Sequence, residues 1–125
     1  MRDISIQLTH RPGELARVAN ALSRLNVNLK SLAGLTLGNQ GVIHLLPDDM
    51  EAARSALQQA NIRFDENEIV TILLENKAGE VADLAGKLSN AGVNLHAIYV
   101  IGLQDDLVEL ALAVDDVKKA KKALE

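Results

Sequence analysis

Two glycine–glutamate pairs, Gly13-Glu14 and Gly79-Glu80, each precede a helical pattern, and an asparagine follows each glycine by 15 residues, at Asn28 and Asn94. Glycine lets the backbone approach a bound molecule closely. The unpaired N–H groups at the start of the following helix favour an anion such as an α-carboxylate. An asparagine amide both donates and accepts hydrogen bonds, which suits an amino-acid backbone. These residue types are therefore compatible with contact to a small molecule that carries a carboxylate.

The same residues also have purely structural explanations. The glycines are compatible with a tight turn and nothing more, and the asparagines with a cap on the turn into the next strand. The glutamates complement the positive end of a helix dipole, although either is also able to meet a ligand ammonium. Arg11 and Lys77, which precede the two glycines, are typical of solvated surface charges.

Both pairs belong to an internal repeat with an offset of 66 residues. Twelve of the 35 positions from 4 to 38 are identical to their partners in 70–104. After a slip of one residue, Asp48-Asp49 matches Asp115-Asp116. Self-similarity over most of a chain indicates two copies of one structural unit. We therefore predict two domains, residues 1–66 and 67–125.

The first copy has the pattern of alternating strands and helices. Strict alternation of apolar and polar residues predicts a strand at 3–10. Apolar residues spaced by 3, 4 and 3 positions predict a helix from Glu14. Further strands are predicted at 28–37, 42–46 and 62–65, and a second helix after Pro47-Asp48-Asp49. The order βαββαβ is the ferredoxin-like α+β unit, which has four antiparallel strands with two helices on one face.

The second copy predicts strands at 69–75, 94–103 and 107–114 and helices at 79–91 and 115–125. Glu125 aligns with Gln58, so this copy is expected to lack its own last strand, and a turn at 65–68 would let strand 62–65 run beside it. An open sheet edge is a place for a partner chain to pair. The uncovered sheet face is also predicted to be apolar, at Leu73, Ala97, Tyr99, Ala111 and Ala113, which favours a homodimer.

Composition excludes several classes of function. The net charge of −4 and the presence of only two aromatic residues, Phe64 and Tyr99, argue against nucleic-acid binding. No apolar run reaches the roughly 18–20 residues of a membrane-spanning helix, and no signal peptide is recognisable, so a cytoplasmic protein is expected. The chain has no cysteine, and His10, His44 and His96 do not show the spacing of metal ligands. We predict neither a metal nor a cofactor.

The segments HRPGELARVANALSRLNVNL and NKAGEVADLAGKLSNAGVNL resemble the ACT domain, and the resemblance covers both copies. It departs from the family pattern at His10, where the family often has Asp or Asn, and at Ala78, where it has proline. By this resemblance the chain is a tandem-ACT protein that binds a small molecule, such as an amino acid, between the loop after strand one of one unit and the start of strand two in its neighbour. The residues implied at the two pseudo-equivalent sites are His10, Arg11, Pro12, Gly13, Glu14, Leu15, Asn28, Leu29, Asn76, Gly79, Glu80, Val81, Asn94, Leu95 and His96.

The resemblance implies a non-enzymatic regulatory module that signals through association or a change of shape and acts on a partner enzyme. The alternative is a ligand-independent regulatory subunit that pairs with another protein through the open sheet edge. An enzyme is a third hypothesis, because Arg11 and Asn28 resemble residues of acylphosphatases, which share this topology. The glycine-rich phosphate cradle of that family is absent, and Lys77 replaces the arginine in the second copy. We therefore expect no catalysis.

Overall fold

The computed structural model describes all 125 residues and contains two compact units. The first unit is Arg2–Asn67, and the second unit is Glu68–Glu125 together with Met1. The elements in chain order are β1 (Arg2–Thr9), α1 (Glu14–Arg24), β2 (Leu29–Leu37), β3 (Gln40–Pro47), α2 (Met50–Gln59), β4 (Asp65–Glu75), α3 (Glu80–Asn90), β5 (Leu95–Gln104), β6 (Leu107–Val114) and α4 (Val117–Ala123). The boundary between the units falls within β4.

In the first unit, β3 pairs antiparallel with β1 on one side and with β2 on the other. The alternation along β1 buries Ile4 and Ile6, and the α1 stripe buries Val18 and Leu22 in the same apolar cluster. Leu57 of α2 completes this cluster and is fully buried. The sheet and its two helices therefore enclose one core, as the alternating and helical patterns predict.

In the second unit, β6 pairs antiparallel with β4 and with β5. Its core contains Val70, Leu84, Leu88 and Leu112, which occupy the positions that match the first core. The predicted α+β fold, with ferredoxin-like antiparallel sheets and paired helices, is confirmed. None of the four helices has the length and apolar character needed to span a lipid bilayer.

The repeated Val-Asn-Leu segment begins where a helix ends. Asn26 (φ 57°) and Gly92 (φ 73°) adopt the left-handed conformation that terminates α1 and α3. The N–H of Val27 donates to the carbonyl of Leu22, and the N–H of Val93 donates to the carbonyl of Leu88. Each hydrogen bond caps the end of its helix. Both valines are buried, so the same hydrogen bond also anchors an apolar residue in each core.

The predicted strand at 62–65 and turn at 65–68 are wrong. β4 runs without interruption from Asp65 to Glu75, and Ile62 is buried in the first core as the chain leaves α2. The polar segment stays extended because its side chains are hydrogen-bonded. Arg54 donates to Glu66 twice, from Nε to Oε2 at 2.6 Å and from Nη2 to Oε1 at 2.9 Å. The amide of Asn67 donates to Asp3 on β1.

The predicted uncovered apolar face of the second unit is also wrong in part. Tyr99, Ala111 and Ala113 are buried, with at most 8% of each residue exposed. Tyr99 lies directly opposite Ala111 in the β5–β6 register. Leu73 is more than half exposed, in agreement with the expectation.

Gly13 and Gly86 provide a matched test of backbone conformation. A Cβ added at either position meets nothing within 4 Å, but Gly13 has a φ of +92° whereas Gly86 lies inside α3. We expect Gly13→Ala to lower the free energy of unfolding by about 1 kcal/mol and Gly86→Ala to raise it by about 0.5–1 kcal/mol. Urea denaturation measures both, and equal effects of the two changes would contradict the assignment of a left-handed Gly13.

Candidate functional site

A cavity of about 200 Å³ lies in the first unit beside the start of α1. The loop after β1 and the first turn of α1 form one wall, and β2 and β3 form the other. The lining residues are Leu8, Thr9, His10, Arg11, Glu14, Leu15, Gly34, Leu35, Thr36, Gly41, Val42 and Ile43. An engineered apolar cavity of about 150 Å³ binds benzene, so this space suits a molecule of about eight non-hydrogen atoms.

Glu14 lies in the wall that the loop after β1 and the first turn of α1 form, and it is the centre of a cluster of charges there. Its side chain is only 9% exposed and accepts a hydrogen bond from Arg11 Nε at 2.9 Å and one from Arg17 Nε at 3.1 Å. The hydrogen bond from Arg17 is the largest cause that holds the pKa of Glu14 below its usual value; burial opposes it, and Arg11 adds to it. Two guanidinium groups around one carboxylate leave this wall with a net positive charge.

The start of α1 faces the cavity without a side-chain cap. Gly13 precedes the helix and offers no capping group, whereas Asp49 caps α2 by accepting from the N–H of Ala52 at 3.1 Å. Glu14 and Leu15, the first two residues of α1, line the cavity. Open N–H groups next to guanidinium groups favour an anionic group of a ligand.

The structure brings together four of the predicted site residues of the first unit: His10, Arg11, Glu14 and Leu15. Pro12 and Gly13 lie in the same loop between β1 and α1, but neither lines the cavity. Asn28 and Leu29 also lie outside the lining. The backbone N–H of Asn28 donates to Asp48 Oδ1 at 3.0 Å, and its carbonyl accepts from Asp48 N–H at 2.9 Å.

In the second unit, Asn94 makes the corresponding contacts with Asp115. Its backbone N–H and its Nδ2 donate to the two carboxylate oxygens, each at 3.0 Å. The backbone hydrogen bond from Asn94 is the largest cause that lowers the pKa of Asp115, and nearby His96 adds a smaller electrostatic contribution. In both units this position thus ties the start of one strand to the loop before a helix, through the backbone alone at Asn28 and through backbone and side chain at Asn94.

The remaining predicted residues of the second unit do not share one site. Glu80 lines a groove of about 360 Å³ together with Ile72, Leu74, Asp83 and Lys87, among others. Asn76, Gly79, Val81, Asn94, Leu95 and His96 do not line this groove. Lys77 lies between two acids, with Nζ 2.7 Å from Glu75 Oε2 and 4.0 Å from Glu80 Oε1.

Several cavity residues were missed by sequence reasoning. Gly34, Leu35 and Thr36 lie in a strand that is apolar on both sides, so periodicity does not reveal which of them face a ligand. Arg17 does not line the cavity but bonds to Glu14, and sequence reasoning did not single it out. The available signal is the comparison of repeats, because Val100 replaces Gly34 and Asp83 replaces Arg17 in the second copy.

No protein-family model matches the sequence, and no curated protein matches it by sequence. Solved structures do match its fold. A protein from Bacteroides thetaiotaomicron is 24% identical over 98% of this chain and 85% of its own, with a TM-score of 0.86. The ligand-free regulatory subunit of aspartate kinase from Thermus thermophilus is 14% identical over 98% of this chain and 89% of its own, with a TM-score of 0.66.

The chain has the fold of regulatory subunits of aspartate kinase. The corresponding subunit from Thermus flavus agrees, with 16% identity over 99% of this chain and 92% of that chain and a TM-score of 0.62. At these identities the likeness concerns the fold alone.

The Arg11–Glu14–Arg17 cluster predicts a specific response to acid. A carboxyl group whose pKa is lowered in the folded state stabilises the fold above its unfolded pKa, and this stabilisation is lost as the pH falls through the folded pKa. The ordinary value is near 4.5, so the loss from Glu14 begins around that pH and continues below it. We expect Glu14→Gln to weaken the fall of the urea midpoint between neutral pH and about pH 3. The matched change Glu80→Gln, where Lys77 lies 4.0 Å away, is the control and should alter the pH profile less.

Proposed function

We propose that the chain is a non-enzymatic regulatory protein of the tandem-ACT type, with its two domains at 1–66 and 67–125, and that it binds an amino acid in the cavity of the first unit. The cavity supports this proposal most directly, because it places an apolar lining beside a positively charged wall. The ligand carboxylate would lie near Arg11 and the start of α1. The side chain of the ligand would lie against Leu8, Leu15 and Ile43.

The fold supports a regulatory role, since regulatory subunits of aspartate kinase have it. We propose that the protein is a homodimer that acts on a partner enzyme and that the ligand changes its association or shape. A ligand changes the association or shape of a protein only if its affinity differs between the two states of association or shape. Light scattering with and without ligand measures the association directly.

A thermal-shift screen against the twenty amino acids tests the binding proposal. A ligand at about 100 times its dissociation constant adds about 2.7 kcal/mol of stability, which raises the midpoint of thermal unfolding by several degrees. Leu15→Asp places a negative charge in the cavity and should abolish the rise. Leu15 is 50% exposed and lies in the first helical turn, where an acidic residue is favourable, so the variant should fold.

Val81→Asp is the matched control, because Val81 is 58% exposed in the first turn of α3 and does not line the cavity. It should leave the ligand-dependent rise unchanged. If both variants lose the rise, binding is not in the cavity of the first unit. If no amino acid raises the midpoint of the unchanged protein, the proposed ligand class is wrong.

A second candidate is a regulatory subunit that needs no ligand. The observation in its favour is the exposure of leucines along β2, an edge strand: Leu32, Leu35 and Leu37 are 52%, 70% and 83% exposed. Large exposed apolar residues on an edge strand are suited to pairing with another chain. A failed ligand screen combined with dimerisation that Leu37→Lys abolishes would favour this candidate.

A further inference from the structure

We propose that each chain binds one ligand, that the ligand needs its carboxylate but not its ammonium group, and that Gly34 determines the specificity of the site by keeping the cavity open. This inference rests on the proposed function and names the ligand chemistry and the stoichiometry of the same site. It follows from a comparison of the matching positions in the two units, which share a fold but differ in charge and in volume.

The charges around the two helix starts are opposite. In the first unit, Arg11 and Arg17 both bond to Glu14, so the glutamate is already neutralised and one positive charge is in excess. A ligand ammonium group there meets the guanidinium group of Arg11 and a carboxylate whose hydrogen bonds are in use. A ligand carboxylate instead meets an excess of positive charge, which favours its binding.

In the second unit, acidic residues dominate the matching place. Lys77 is the counterpart of Arg11, and it lies 2.7 Å from Glu75, the counterpart of Thr9. Asp83 replaces Arg17. The carboxylates of Glu75, Glu80 and Asp83 outnumber the ammonium groups of Lys77 and Lys87 and repel an anionic ligand, so the second unit is not expected to bind the same molecule.

The space is also different. Gly34 lies directly opposite Ile43, and a Cβ built on Gly34 would come within 3.3 Å of Ile43 Cγ2. A side chain at position 34 would therefore stand on the face that lines the cavity. In the second unit Val100 lies opposite Leu110 in the same register, so this position already carries a branched side chain.

Three probes of one shape separate the two charged groups of the ligand: L-valine, isovalerate, which lacks the ammonium, and isobutylamine, which lacks the carboxylate. Their size suits a cavity of about 200 Å³. Isothermal titration of the full chain should show that isovalerate and valine bind at one per chain, and that isobutylamine binds at least about tenfold more weakly than isovalerate.

Gly34→Val gives the first unit the residue of the second and should weaken binding of isovalerate at least about tenfold. Gly34→Ala should give an intermediate loss. A Cβ at position 34 requires Ile43 to shift by a few tenths of an ångström, so the urea midpoint of Gly34→Val is measured beside its binding to show that the variant folds. Leu37→Val, on the same strand and outside the cavity, is the control and should bind normally.

The outcomes separate this inference from the proposed function. Two ligands per chain, equal binding of isobutylamine and isovalerate, or unchanged binding by Gly34→Val would overturn the inference, while amino-acid binding would still stand. The inference would also be overturned if only amino acids with side chains larger than that of leucine raised the midpoint of thermal unfolding. A screen in which no amino acid raises the unfolding midpoint contradicts the proposed function, and the inference fails with it.

Discussion

Replacing Asp3 with alanine is expected to lower the free energy of unfolding by about 3 kcal/mol, because it removes a fully buried carboxylate that makes two side-chain hydrogen bonds. Asp3 is completely buried, and its Oδ2 lies 2.8 Å from His44 Nδ1. Its Oδ1 accepts a hydrogen bond from Asn67 Nδ2, also at 2.8 Å. Removal of the carboxylate takes one hydrogen-bond partner from His44 and one from Asn67, both of which are only partly exposed.

Urea denaturation at neutral pH measures the loss, and Asp3→Asn separates charge from hydrogen bonding. The asparagine keeps an oxygen that can accept from Asn67, so we expect a smaller cost of about 1 kcal/mol. Gln7→Ala is the control, since Gln7 is an exposed residue of β1 and should change stability by no more than about 0.5 kcal/mol.

A double-mutant cycle shows whether the pair acts as a unit. If it does, His44→Ala should cost less in the Asp3→Ala background than in the unchanged protein, because the interaction has already been lost. Purely additive effects, or a loss below about 1 kcal/mol for Asp3→Ala, would mean that the buried pair contributes little to stability.

Periodicity and the repeat predicted the elements of the fold well, and they did so for a physical reason. Strands and helices that bury one face must place apolar residues at periods of 2 and 3.6. Ile4 and Ile6 on β1, and Val18 and Leu22 on α1, follow those periods and are buried. Polar residues also continue a strand, as in Asp65–Glu68. There the apolar periodicity does not indicate the strand, and the predicted turn was wrong.

The buried polar cluster and the cavity were not predictable in the same way. His44 and Asn67 lie 41 and 64 residues from Asp3, so their contacts exist only after the strands have paired. The cavity depends on Gly34, an unremarkable glycine in an apolar strand, and on Arg17, whose bond to Glu14 requires a particular side-chain direction. Sequence located the loop of His10, Arg11 and Glu14 but did not show which residues would form the opposite wall.

The cores of the two units are expected to differ most at one matched pair of leucines. Leu57 lies in α2, a helix of ten residues, and is fully buried in the first core. Leu124 follows α4, a helix of seven residues, and is only partly buried. It also lines the groove of about 360 Å³ with Ile72 and Leu74.

Leu57→Ala should therefore lower the free energy of unfolding by about 3 kcal/mol, because it removes buried methyl groups and leaves a cavity in a closed core. Leu124→Ala removes the same atoms from a place that already borders on solvent. Its expected cost is about 1 kcal/mol, since less apolar area returns to water and less cavity surface is created.

Two signals allow the comparison to be made in one protein. The far-ultraviolet circular dichroism reports the helices of both units, whereas the fluorescence of Tyr99, the single tyrosine, reports the second unit. We expect Leu57→Ala to shift the circular-dichroism transition more than Leu124→Ala does. Equal shifts would mean that the second core is as closed as the first, and the groove lined by Leu124 would then be filled in solution. A shift of the Tyr99 transition by Leu57→Ala would show that the two units unfold together, because the substituted residue and the tyrosine belong to different units.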